Sequence, residues 1–275
     1  MRLTSADSTV NQLLDLAEDA LGRGDARAAL DLCAKVLADL PGHTGATFLK
    51  AEASRDLGQI EHAERLYTEV VRAEPGHALS WCGLAWARFD MVRIAEARSA
   101  VARSIRLDPR NPDGVYLRAL LRERRGDDDG ATRDYLRAWR LDPEHFPLPQ
   151  LLSDSTVEAI VEEALEALHP SIRAYLSQVS ILLEEFPEED LCLQYDPPAS
   201  PAELLGYFTG ASMRERSMDD PWTNLPSAIV LFRKNLSRVA ADRAQMLDEL
   251  RVTVFHEVGH FLGLSEEDLE ARGLE

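Results

Sequence analysis

The chain has 275 residues, 45% of them apolar and 28% charged, a composition that buries real cores and excludes a disordered or low-complexity chain. Its 48 acidic residues against 30 basic ones leave a formal net charge of −18, which argues against a nucleic-acid binder, because phosphate neutralisation needs a basic surface. The longest apolar run, Ala228 to Phe232, falls far short of the ~18 residues of a membrane-spanning helix.

Length alone suggests about two domains. The charge divides unevenly: residues 1–145 carry 21 basic and 24 acidic residues (net −3), and residues 146–275 carry 9 and 24 (net −15). The opening MRLTSADSTV has no apolar signal-peptide core. Cys33, Cys82 and Cys192 are widely separated, so neither a disulfide framework nor a cysteine-ligated zinc site is expected. The expectation is a soluble, cytoplasmic protein that binds neither nucleic acid nor membrane.

The first half repeats itself. Pro41, Pro75, Pro109 and Pro143 are each 34 residues apart, and the same spacing relates Ala29, Ala63, Ala97 and Ala131, and Ala17, Ala51, Ala85 and Ala119. Gly24, Gly58 and Gly126 stand five residues before the first alanine column, with Val92 in the remaining copy. Small alanines suit close crossings of antiparallel helices. Glycine ends a helix through a left-handed residue, and proline stops the next one.

This 34-residue pattern resembles the tetratricopeptide repeat, as four copies over residues 10–145 that start near 10, 44, 78 and 112. The usual tryptophan position is filled only by Trp81, and alanine holds the close-crossing position throughout. The resemblance implies an α-solenoid whose concave face, lined by the first helix of each pair, receives a protein or peptide partner. In that register Phe48, Arg55, Trp86, Phe89, Tyr116 and Arg124 lie on or near the groove. The aromatic residues have a competing role in packing neighbouring repeats together.

After Pro143 the register stops, and residues 146–154, with Pro147 and Pro149, read as a linker to a second domain over 155–275. Ser155 or Thr156 is placed to cap a helix running to His169, with another around "SIRAYLSQ". "VSILLEE", "LCLQY", "LLGYFTG" and "SAIVLFRK" are short β-favouring runs. A final helix from about Ala240 to Leu262 carries an apolar stripe of Leu247, Leu250, Val254 and Val258. These elements make a small α+β domain.

The final helix also carries "HEVGH". His256 and His260, one helical turn apart, can reach a single Zn²⁺ at ~2.0–2.1 Å, and Glu257 follows the first histidine beside the open coordination position. This is the H-E-x-x-H arrangement of zinc peptidases. The other histidines, His43, His62, His77, His145 and His169, read as caps or surface residues. Fifteen residues follow His260, so a third ligand is expected close by. Gly263 can reverse the chain, and Glu266 follows it by three, with Glu267 and Asp268 as competitors.

The stretch from "LLGYFTG" through "LPSAIVLFRKNL" to "FHEVGHFLGLSEEDLEARGL" resembles the small bacterial zincin-like metallopeptidases, over about residues 155–275. That resemblance implies a compact α+β fold with one Zn²⁺ held by His256, His260 and Glu266, and with Glu257 as general base. Two positions depart from the family: Glu266 replaces an aspartate, and Phe208 stands where a tyrosine is usual. The expected function is a zinc-dependent metallopeptidase whose repeats recruit a protein partner or substrate. The alternative is a repeat-based interaction scaffold with a structural or nearly inactive zinc site.

Overall fold

The structure is a computed structural model that describes residues 5–150, 153–166, 170, 173, 179–209, 227–239 and 243–265. The chain divides into two compact units, Met1–Phe146 and Pro147–Glu275.

The first unit is four helical hairpins: α1 (Ser5–Gly22) with α2 (Ala26–Asp39), α3 (Thr44–Asp56) with α4 (Ile60–Ala73), α5 (Ala78–Asp90) with α6 (Ile94–Leu107), and α7 (Pro112–Glu123) with α8 (Asp128–Leu141). The alanine columns explain the pairing. Ala17, Ala51, Ala85 and Ala119 are fully buried, as are Ala29, Ala63 and Ala97, with Ala131 at 2% exposure. A longer side chain in either column would separate the crossing helices. Gly24, Gly58 and Gly126 turn each hairpin at φ of 75°, 71° and 75°. Val92 adopts the same left-handed backbone at φ 60°, so the geometry of the stack is imposed even on a β-branched residue.

The helix entries are capped as their sequences require. His43 and His77 each accept a main-chain N–H through Nδ1, from Ala46 and Ser80 respectively, both at 3.1 Å. Asn111 does the same for Gly114 at 3.0 Å. Between the hairpins, Tyr67 is wholly buried, and a Cβ on Gly83 would stand 2.4 Å from its ring. Glycine is therefore what lets α5 close on the ring of the preceding hairpin. In the last hairpin Asp134, 3% exposed, joins α8 to α7 by accepting from Arg118 (2.6 and 2.7 Å) and Arg122 (2.8 Å).

The second unit contains α9 (Asp154–Glu166), β1 (Val179–Glu184), α10 (Glu189–Cys192), β2 (Gly206–Thr209), β3 (Ser227–Phe232), α11 (Arg233–Val239) and α12 (Arg243–Phe261). Its three strands lie in the order β1-β3-β2. β1 runs parallel to β3, with Val179 opposite Ser227, and β2 runs antiparallel to it, with Gly206 opposite Leu231. The central strand is buried on both faces, from Ala228 at 7% to Phe232 at 0%, as an unbroken apolar run requires. β1 alternates, with Ile181 and Leu183 packed inward and Leu182 exposed. Val157, Ile160 and Val161 of α9 and Leu250, Val254 and Val258 of α12 close the core over Ile229 and Leu231. Asn235, fully buried, donates to the carbonyls of Pro201 and Leu204 and so ties down the approach to β2.

Two sequence expectations are corrected. Ser153, and neither Ser155 nor Thr156, caps α9: its Oγ accepts the Thr156 N–H at 3.2 Å. "LCLQY" is no strand: Glu189–Cys192 is a helical turn, opened by acidic residues after Pro187, with Cys192 buried as its anchor. The expected helix around "SIRAYLSQ" falls mostly outside the described residues. Cys33, Cys82 and Cys192 are buried, and none of them forms a disulfide. No described helix is long and apolar enough to cross a membrane.

Candidate metal centre and repeat groove

The position of α12 follows from its stripe. Leu250, Val254 and Val258 are held in the core, which fixes the rotation of the helix about its axis. At ~100° per residue, His256 and His260 then project roughly 140° from the middle of that stripe, and Glu257 lies between the two directions. The burial agrees: both histidines are half-buried, and Glu257 is 6% exposed. Their Nε2 atoms converge to 3.0 Å, with ring centroids 4.7 Å apart and planes at 77°.

Two nitrogens each ~2.0–2.1 Å from one tetrahedral ion stand ~3.3 Å apart. The observed pair needs to open by only a few tenths of an ångström to hold a zinc ion, and imidazole nitrogen is among its preferred donors. These two side chains fit the metal. Among the described residues no group of three or more His, Cys, Asp and Glu side chains assembles, and Glu266, Glu267 and Asp268 lie outside them. The turn that leads toward them is described. Gly263 has φ 82°, its N–H donates to the His260 carbonyl (2.9 Å), and the Leu264 N–H donates to the Gly259 carbonyl (3.0 Å). That pair of bonds is a Schellman motif, which stops the helix at Phe261, just past the second histidine.

Gly206 governs how closely α12 approaches the sheet. A Cβ there would meet the Val230 carbonyl oxygen at 2.8 Å and Thr253 Cγ2 of α12 at 3.3 Å. The glycine of "LLGYFTG" is thus a contact between β2 and the helix that bears the histidines. Phe208 packs against the core at its edge.

In the repeats, α3, α5 and α7 carry five of the six residues expected in the groove, with Arg124 at the C-cap of α7, and the structure sorts them. Phe48, Arg55 and Trp86 line one cavity of about 180 Å³. Tyr116 stacks on Trp86 with centroids 6.5 Å apart, and also meets Tyr135 and Phe146. Phe89 is 1% exposed, edge-on to Trp86, so it belongs to the packing of the stack. Arg124 is half-buried at the end of α7. Sequence reasoning missed Glu52, Leu79 and Asp113, which line the same cavity. Glu52 was within reach, since it lies one turn from both Phe48 and Arg55. Burial raises its carboxyl above the ordinary range against the pull of Arg55, and the Tyr67 hydroxyl donates to it at 2.5 Å.

Family comparisons agree with this division. Residues 176–274 match the profile described as zincin-like metallopeptidase, and residues 20–78 and 82–145 match tetratricopeptide repeat profiles. No curated protein matches the chain. Among solved structures, a thermophilic tetratricopeptide-repeat protein of Thermus thermophilus is 21% identical over 49% of this chain and 75% of its own, with a TM-score of 0.45. MamA from Desulfovibrio magneticus is 21% identical over 49% and 76%, with a TM-score of 0.42. An O-GlcNAc transferase mutant of Thermobaculum terrenum is 20% identical over 61% and 36%, with a TM-score of 0.47. The chain is a tetratricopeptide-repeat solenoid followed by a small zincin-like metallopeptidase domain.

Proposed function

We propose that the chain is a zinc-dependent metallopeptidase that binds one Zn²⁺ through His256, His260 and Glu266 and uses Glu257 as its general base. The carrying observation is the 3.0 Å convergence of the two imidazoles, with a buried carboxylate beside them, in a zincin-like domain. Zinc, when bound, supplies a Lewis acid that polarises a carbonyl and acidifies water. Glu257 takes the proton of the attacking water and returns it to the leaving amine, which closes the proton balance of hydrolysis. Its burial serves that role, because a carboxylate shielded from solvent interacts more strongly with neighbouring charge. The repeats recruit a protein partner or substrate through their inner helices.

Glu257→Gln keeps the shape of the side chain and removes its basicity. Wild type should contain zinc and cleave a peptide library, and the variant should keep zinc while losing at least 10²-fold in rate. Equal rates in the two proteins, or no cleavage by wild type, would replace this reading with that of a scaffold.

A further inference from the structure

We infer that the cavity between α3, α5 and α7 is a receptor for a cationic side chain, lysine or arginine, presented by a peptide. Its aliphatic stem would lie against Phe48, Leu79 and Trp86, and its charge would face Asp113. The inference rests on the reading that the repeats recruit a protein.

The size of the cavity sets the scale. At about 180 Å³ it holds roughly six waters' worth of liquid volume, which suits one side chain and no folded domain. Part of its wall is apolar and open: Leu79 is 49% exposed, and Phe48 and Trp86 are half-buried. A methylene stem gains from such walls, and an indole face adds attraction for a cation.

The polar groups decide the sign of the ligand. Two carboxylates, Glu52 and Asp113, share the cavity with one guanidinium, Arg55. Glu52 and Arg55 are already engaged: Glu52 accepts from Tyr67 and pairs with Arg55 at 3.5 Å, and Arg55 also reaches Asp56 at 3.9 Å. Asp113 makes no salt bridge among the described residues, so the cavity is left with one uncompensated negative charge at its rim. Partial loss of solvent there raises the Asp113 carboxyl above its ordinary range in spite of the pull of Arg55, and an arriving cation would favour its charged form.

A second observation points to a peptide. Arg55 Nε and Trp86 Nε1 are buried without a hydrogen-bond partner, and both belong to the wall of this cavity. Buried donors left unmatched are costly, and a small rotation of either side chain toward the cavity would offer its N–H to a peptide carbonyl. Cation for Asp113 and carbonyl for the N–H groups describe a basic residue within a chain. A free carboxylate would satisfy the donors and be repelled by Asp113 and Glu52.

The test uses the full chain with Glu257→Gln, so that no probe is consumed. Three blocked peptides, Ac-Ala-Leu-Lys-Leu-Ala-amide and its norleucine and glutamate counterparts, are titrated calorimetrically at low salt. The lysine peptide should bind at least 10-fold more tightly than the norleucine peptide, and adding Asp113→Asn should bring the two within 3-fold. Equal binding of lysine and norleucine peptides, or a lysine preference that survives Asp113→Asn, would overturn the cation site and leave peptide recruitment standing. Tighter binding of the glutamate peptide would assign the pocket to Arg55 and overturn it too. Binding of none of the three would remove the recruitment reading together with the inference.

Discussion

Replacing Gly206 by alanine tests how the sheet positions the histidine helix. The new Cβ would stand 2.8 Å from the Val230 carbonyl oxygen, 3.0 Å from Leu231 Cδ2 and 3.3 Å from Thr253 Cγ2. Carbon and carbonyl oxygen rest at ~3.3–3.6 Å, so the main chain must separate by roughly half an ångström. Val230 lies in the central strand, held by β1 on one side and β2 on the other, so β2 must yield. Overpacking of this kind costs about 1–3 kcal/mol. Alanine returns about 0.4–1 kcal/mol by restricting the unfolded chain, which leaves a net loss. For a unit of this size that loss lowers its unfolding temperature by roughly 3–10 °C. Calorimetry of the full chain, with and without added zinc, measures it. Because Thr253 sits one turn before His256 on α12, the variant should also hold zinc more weakly. A transition within 1 °C of wild type, with zinc affinity unchanged, would show that α12 does not take its position from this contact.

Gly58 has φ 71° and open space around it, so Gly58→Val should cost about 1–2 kcal/mol of backbone strain alone, read from urea denaturation; no loss would mean that the hairpin turn relaxes. Burial pushes the Cys33 thiol from 9.0 up to about 11: the folded state holds this proton more tightly than the unfolded one, so stability is intact below pH 9 and falls as pH rises to 11, by roughly 2–3 kcal/mol. Cys33→Ala should be less stable at pH 8 yet decline less over that interval, and parallel curves for the two proteins would contradict the linkage. Glu266→Ala should weaken zinc binding 10-fold or more, on the scale of losing a site-orienting contact, while Glu267→Ala and Asp268→Ala keep the metal; collapse on changing Asp268 alone would place the third ligand later in the chain.

The solenoid was legible because each copy poses the same packing problem. Three columns at a 34-residue spacing name the crossing points and the turns, and all eight crossing alanines are buried. Val92 is instructive. Its side chain argues against a left-handed turn, yet its place in the glycine column argues for one, and the column was right. The second unit has no repeats to average over, so local composition had to decide, and it erred where composition is ambiguous. "LCLQY" has the apolar content of a strand, but a strand needs a neighbour, and acidic residues behind Pro187 open a helical turn instead. The convergence of His256 and His260 was legible for a stronger reason: helical periodicity alone brings residues four apart onto one face.

The groove followed the opposite logic. The columns that build the stack vary least, whereas the cavity is lined from columns whose residues change along the array. Glu18, Glu52, Trp86 and Leu120 share one column, and Leu14, Phe48, Cys82 and Tyr116 share another. A third holds Asn11, Gly45, Leu79 and Asp113, and a fourth Leu21, Arg55, Phe89 and Glu123. The cavity takes Glu52 and Trp86 from the first, Phe48 and Cys82 from the second, Leu79 and Asp113 from the third, and Arg55 from the fourth. A solenoid carries each column forward by one hairpin, so a carboxylate in one copy and an indole in the next become walls of the same space. Periodicity hides this composition, because a repeat is recognised by what its copies share. Reading the columns for their differences instead would have assembled Glu52, Leu79 and Asp113 around Phe48 and Trp86 before any coordinates. The uniform columns hold the stack together, and the divergent ones are free to select what it binds.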